Sequence, residues 1–92
     1  MIKLINAKEM NKLHPNTFWV PSDEQLNSIG IGDLVKVSDG IERFRVKVSK
    51  IDGDNITGNV ADLIFVSTNF QLDDKITLKK ENVYDLGVEN IL

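Results

Sequence analysis

The chain carries a single histidine, His14. Imidazole is the one side chain whose unperturbed titration falls near neutral pH, so His14 is a candidate general base or metal ligand. A metal site needs several convergent donors, and the sequence has no second histidine and no cysteine. No metal and no cofactor is therefore expected. A purely structural reading places His14 at the end of a helix, where a cation near the last carbonyls is favourable. Four residues further on stand Phe18 and Trp19, which could stack on a base or a sugar. In an extended segment one of the two faces inward and the other outward. Trp19 is the residue expected to line a ligand pocket, if there is one. Arg43, Arg45 and Lys47 alternate without interruption, a basic stripe able to hold a phosphate or a partner's carboxylates. The competing reading is a solvated face paired with Asp or Glu across a sheet. The candidate binding residues are thus Trp19, Phe18, Arg43, Arg45 and His14, with no catalytic set.

The acidic clusters read as turns. Asp52, Asp54 and Asn55 suggest calcium, but an EF-hand loop needs oxygen donors at alternate positions, and Ile56 and Thr57 break that pattern. Asp73-Asp74 has no feature that would make one carboxylate an acid and the other a base. There is no Gly-x-Ser-x-Gly elbow. Gly30-Ile31-Gly32 precedes a strand and lacks the third glycine of a nucleotide fingerprint.

Ninety-two residues make one domain with one modest core. The hydrophobic share is 41% and the charged share 27%, values ordinary for a folded chain. With no cysteine there is no disulfide framework, which favours a reducing, cytoplasmic setting. No apolar run is long enough for a signal peptide or a membrane span. Net charge is −3 and only two of the eleven basic residues are arginine, a balance that argues against nucleic-acid binding.

Those residues must be positioned by short elements. Asn6 caps a helix over residues 7–13, with Ala7, Met10 and Leu13 on one face. Pro15 ends it. Ser22 and Gln25 form a capping box for a second turn of helix that docks Leu26 and Ile29. From Gly30 the hydrophobic period becomes two. Strands are expected at 34–38, 42–50, 56–60, 63–66, 75–79 and within 81–86, separated by Asp39-Gly40, Asp52-Gly53-Asp54-Asn55 and Asp73-Asp74. Phe44, Val46 and Val48 face the core, as do Ile56, Gly58 and Val60. Gly58 in mid-strand marks a bulge or a close backbone approach. The expected fold is mainly β: a small half-open antiparallel barrel of five or six short strands, with one or two short helices in the first thirty residues.

His14-Pro15-Asn16-Thr17-Phe18, Pro21-Ser22, Gly32-Asp33-Leu34-Val35-Lys36, Glu42-Arg43-Phe44-Arg45-Val46-Lys47-Val48 and Gly58-Asn59-Val60 follow one another in this order. In that order and spacing the chain resembles the bacterial family known as domain of unknown function 2314, over residues 14–86. Two positions depart from the family pattern: Arg45 stands where an aromatic residue is usual, and Asp73 where a late glycine is usual. The resemblance implies a small β-rich fold; it brings no activity, since none is assigned to that family.

The function expected from these features is a non-catalytic binding module, an accessory or conflict-system protein holding a protein partner or a small anionic ligand. Two alternatives are a small enzyme using His14 with a carboxylate, and a single-stranded nucleic-acid binding barrel of OB- or SH3-like form. The apolar Ile91-Leu92 end leans toward a homodimer.

Overall fold

The chain switches from helix to strand where its hydrophobic period switches, at Gly30. In the computed structural model, which describes residues 4–86, α1 (Ala7–Leu13) and α2 (Asp23–Asn27) come first. The strands β1 (Leu34–Ser38), β2 (Arg43–Asp52), β3 (Asn55–Val60), β4 (Lys75–Lys79) and β5 (Asp85–Leu86) follow. They form one antiparallel sheet in the order β4-β3-β2-β1-β5. The sheet curls but does not close, so it is a half-open barrel with β4 and β5 at its edges. A 3₁₀ turn, Lys80–Asn82, leads into β5.

The helices start where their caps dictate. The Asn6 side chain accepts the Glu9 amide at 3.1 Å. Ser22 accepts the Gln25 amide at 3.1 Å while Gln25 accepts the Ser22 amide at 2.9 Å, a reciprocal capping box. Leu26 and Ile29 then join the core. Ala7 is buried, but Leu13, expected on the same face, is 71% exposed. Met10 is half-buried, so the packed face ends before the last turn and the apolar spacing overstates its length.

The sheet's inner face is the period-two face. Val35 and Val37 of β1, Phe44, Val46 and Val48 of β2, and Ile56 and Val60 of β3 are all buried. Phe44 meets Phe70 with ring centroids 5.2 Å apart. Strands β2 and β3 join through Gly53-Asp54, with Gly53 at φ 61°. A positive φ at the first of two loop residues is the type II′ pattern, which matches the twist of the flanking strands. Opposite Gly58 the β2 register shifts between Val48 and Lys50, so this glycine sits at a bulge and a close approach, as its place in the strand implies.

One expected strand is absent. Residues 63–66 form a loop. The amides of Phe65, Val66 and Ser67 donate to the Glu42 carboxylate at 3.0, 2.7 and 2.9 Å. A side-chain acceptor thus takes the donors that a strand would give to a ladder. Leu63, Phe65 and Val66 are left exposed. The strand expected within 81–86 is shortened to Asp85–Leu86 by the 3₁₀ turn before it. The Ile91-Leu92 end, on which the homodimer expectation rests, lies outside the described residues.

Asp73 is the one non-glycine among the described residues with positive φ, at 72°. Its amide donates to the Val60 carbonyl at 2.9 Å, and a glycine keeps that bond. A left-handed backbone costs a residue with a Cβ about 1 kcal/mol, partly offset by glycine's greater freedom in the unfolded chain. Asp73→Gly is therefore expected to raise the urea midpoint, by about 0.5 kcal/mol of stability; a lowered midpoint would show that the Asp73 side chain contributes more than its backbone costs.

Candidate functional site

The segment carrying Phe18 and Trp19 follows a turn at residues 15–17 and is fixed at both ends. At its start, the Phe18 amide donates to the His14 carbonyl at 2.9 Å. The Asn11 side chain donates to the Phe18 carbonyl at 2.6 Å. At its end Pro21 is buried and Ser22 caps α2. A chain held at both ends presents the residue between in a set direction. Trp19 points to solvent, 74% exposed. Phe18 turns the other way, and its ring meets Tyr84 edge-on at 6.1 Å with the planes at 61°, a favourable aromatic geometry.

Tyr84 links this segment to the sheet. It lies just before β5, and its amide donates to the Lys36 carbonyl of β1 at 3.1 Å. The Arg43 guanidinium of β2 sits 5.0 Å from the Tyr84 ring centroid, a cation–π contact. Burial pushes the Tyr84 phenol above its ordinary value; the Arg43 charge pulls it down and the Asp85 charge pushes it up again. The phenol therefore stays neutral at physiological pH and can donate a hydrogen bond.

Between these parts lies an open cleft of about 390 Å³, walled by Trp19, Val20 and Pro21 on one side and by Arg43, Tyr84 and Leu86 on the other. Arg43 makes no ion pair among the described residues. The cleft thus offers one guanidinium without an ion pair, beside two aromatic faces and a proline; the Asp85 carboxylate, 3.9 Å from the Lys36 ammonium, also lines it. That arrangement suits a ligand group with a carboxylate or phosphate next to a flat or apolar part.

Arg45 lies elsewhere. It points along the same outer face as Arg43 but is engaged by Asp62. Its Nε is 3.1 Å from both carboxylate oxygens, its Nη2 is 2.7 Å from Oδ1, and its backbone amide donates to Oδ2 at 2.8 Å. The hydrogen bonds from Arg45 hold the Asp62 carboxyl below its ordinary range, against a burial effect that raises it. Arg45 therefore fixes the start of the 61–74 connection to β2. Its guanidinium is already matched by a carboxylate, the structural role that the basic stripe also allowed.

His14 caps the C-terminus of α1, its amide donating to the Met10 carbonyl. It is exposed, and its imidazole makes no hydrogen bond or ion pair to another described residue. Among the described residues no three His, Asp or Glu side chains converge as a metal site would require. None of their helices is long and apolar enough to cross a membrane.

Of the five sequence candidates, the cleft brings together Phe18, Trp19 and Arg43 and leaves out Arg45 and His14. The residue that sequence reasoning missed is Tyr84. It is the chain's one tyrosine, forty-one positions beyond Arg43, and only the antiparallel pairing of β5 with β1 sets it over the start of β2. No family model, no curated protein and no solved structure matches the chain, so the site rests on its own geometry.

Proposed function

We propose that the chain is a non-catalytic binding module that holds a partner protein or a small anionic ligand in the cleft between Trp19 and Arg43. The observation that carries this reading is a guanidinium that makes no ion pair among the described residues, set on Tyr84 in a cleft shared with a tryptophan that is 74% exposed. Exposed tryptophan and arginine are the residues that most often dominate binding energy at interfaces. A general base needs a proton-accepting group within hydrogen-bond reach of a bound substrate, and among the described residues no carboxylate lies in ion-pair reach of His14 to orient it. A cysteine-free chain with this surface suits a reducing cytoplasm.

The test compares the wild-type chain with Trp19→Ala and Arg43→Ala by native mass spectrometry and pull-down from source cells. Both side chains are exposed, so each variant is expected to keep its thermal midpoint to within about 0.5 kcal/mol of stability. Each is expected to lose at least tenfold in retention of whatever the wild type carries, about 1.4 kcal/mol or more. A wild-type protein that retains nothing, or variants that retain it equally, would remove the cleft from consideration.

A further inference from the structure

The net charge of −3 conceals a segregation. Seven of the eleven basic residues (Lys36, Arg43, Arg45, Lys47, Lys50, Lys75 and Lys79) project from the outer face of the sheet, as the register and the alternating burial show. Lys36 and Arg45 meet Asp85 and Asp62, and Arg43 belongs to the cleft. The remaining four are different. Lys47, Lys50, Lys75 and Lys79 are exposed, and none makes an ion pair among the described residues.

The register sets them in rows. Lys47 pairs with Asn59, and Asn59 with Lys75. Lys50 pairs with Thr57, and Thr57 with Thr77. Asn55 lies between Asp52 and Lys79. Adjacent strands lie about 4.8 Å apart, so the Lys47 and Lys75 backbones are separated by about 10 Å. Between the lysines stand only short side chains that can hydrogen-bond. Asp52, at the far end of β2, also projects from this face, and at that end it lines a hollow with Lys79, Asp54 and Glu81.

We propose that the outer face of β2, β3 and β4 docks an acidic segment of a partner protein. Charge complementarity carries the proposal: four unpaired ammonium groups meet a set of carboxylates, and the Thr and Asn side chains between them accept or donate hydrogen bonds. Two features favour an acidic protein segment over a nucleic acid. No aromatic side chain lies among the lysine rows, so bases find no stacking platform. The acidic groups outnumber the basic ones overall, so a long polyanion that overran the face would meet repulsion, whereas a short acidic segment confined to it would not. The surface is separate from the cleft and does not depend on it.

The experiment measures fluorescence anisotropy with two labelled probes of equal charge, a Glu- and Ser-containing peptide and an oligothymidine. It is run at about 20 mM and about 200 mM salt, ionic strengths that bracket effective screening. The wild type is expected to bind the peptide more tightly than the oligonucleotide at low salt, and more weakly at high salt. The double variant Lys47→Glu/Lys75→Glu is expected to bind the peptide about tenfold more weakly, as loss of two exposed ion pairs and added repulsion imply. Trp19→Ala is expected to match the wild type, which separates this face from the cleft. The milder Lys47→Gln/Lys75→Gln variant, with circular dichroism, controls for folding and is expected to give an intermediate loss. Absence of peptide binding at low salt, oligonucleotide binding as tight as or tighter than peptide binding, or unchanged affinity in the reversed variant would each overturn the proposal. So would low-salt self-association that the reversed variant abolishes, because the face would then serve a second copy of this chain.

Discussion

Gly58→Ala is expected to destabilise the protein by about 3 kcal/mol or more. Gly58 lies in β3 opposite Val48, where the β2 register shifts. A Cβ at this position would overlap the Lys47 carbonyl oxygen and lie 2.7 Å from the Val46 side chain. The first obstacle is backbone, which cannot swing aside as a flexible side chain can. The two strands must separate, at the centre of the sheet and beside the buried Val46, Val48 and Ile56. Native domains of this size are stable by only about 5–14 kcal/mol, so the variant should lose a large part of its cooperative transition. Urea denaturation checks this, with Lys47→Ala on the exposed side of the facing strand as the control, expected within about 0.5 kcal/mol of wild type. A Gly58→Ala midpoint as close as the control's would mean that the bulge relaxes to admit a methyl group.

Asp39→Ala is expected to cost about 2 kcal/mol at neutral pH, and that cost is expected to fade in acid. The Asp39 carboxylate accepts the Ile41 and Glu42 amides, both at 2.9 Å, the Asn69 amide group at 3.0 Å, and the Ser67 hydroxyl. It therefore both shapes the turn between β1 and β2 and ties down the connection between β3 and β4. Hydrogen bonds to a charged acceptor are worth about 1.5–3 kcal/mol, reduced here because the carboxylate is half-exposed and screened by water. Burial pushes its pKa up, but the bonds from Ser67, Glu42, Asn69 and Ile41 outweigh burial and bring it down to about 2. A carboxyl lowered on folding stabilises the native state above its unfolded value, near 3.8, and loses that contribution as the pH falls toward 2. The gap between wild type and Asp39→Ala should therefore be constant above about pH 5 and shrink between about pH 4 and pH 2. Glu42 and Asp62 are also held below their ordinary values, so both proteins weaken in acid; the Asp39 share is the difference between them. A gap that stays constant down to pH 2 would show that the aspartate acts through its shape alone.

The two predictions mark two kinds of information. Gly58 stood out in the sequence because a glycine interrupts a run of alternating Ile, Thr, Asn and Val, and a strand has few reasons to give up a side chain. The hydrophobic period of two likewise placed Phe44, Val46 and Val48 on one buried face and Arg43, Arg45 and Lys47 on the other. The capping box at Ser22 and the glycine at the β2–β3 turn were legible for the same reason. In each case the physical cause acts within a few residues, through sterics and backbone hydrogen bonding, and does not depend on the rest of the fold.

The roles of Asp39 and Glu42 could not be read in this way. Beyond the local Asp39 turn bonds, their partners lie 23 to 30 residues away, in a connection whose apolar run looks like a strand until the Glu42 carboxylate takes its amides. Sequence spacing likewise could not separate Arg43 from Arg45. Tertiary pairing engaged Arg45 with Asp62 and left Arg43 over Tyr84, facing Trp19. The exposed lysine rows are decided the same way, because residues from three strands share a face only once their register is set. Local periodicity and turn chemistry thus determined the buried face of the sheet and the start of most strands, but neither the exposure of Leu13 nor the loop at residues 63–66. The partners of each charge were decided only by the folded sheet, since a charge's energy depends on distance and burial, and both are fixed by strands far apart in the chain.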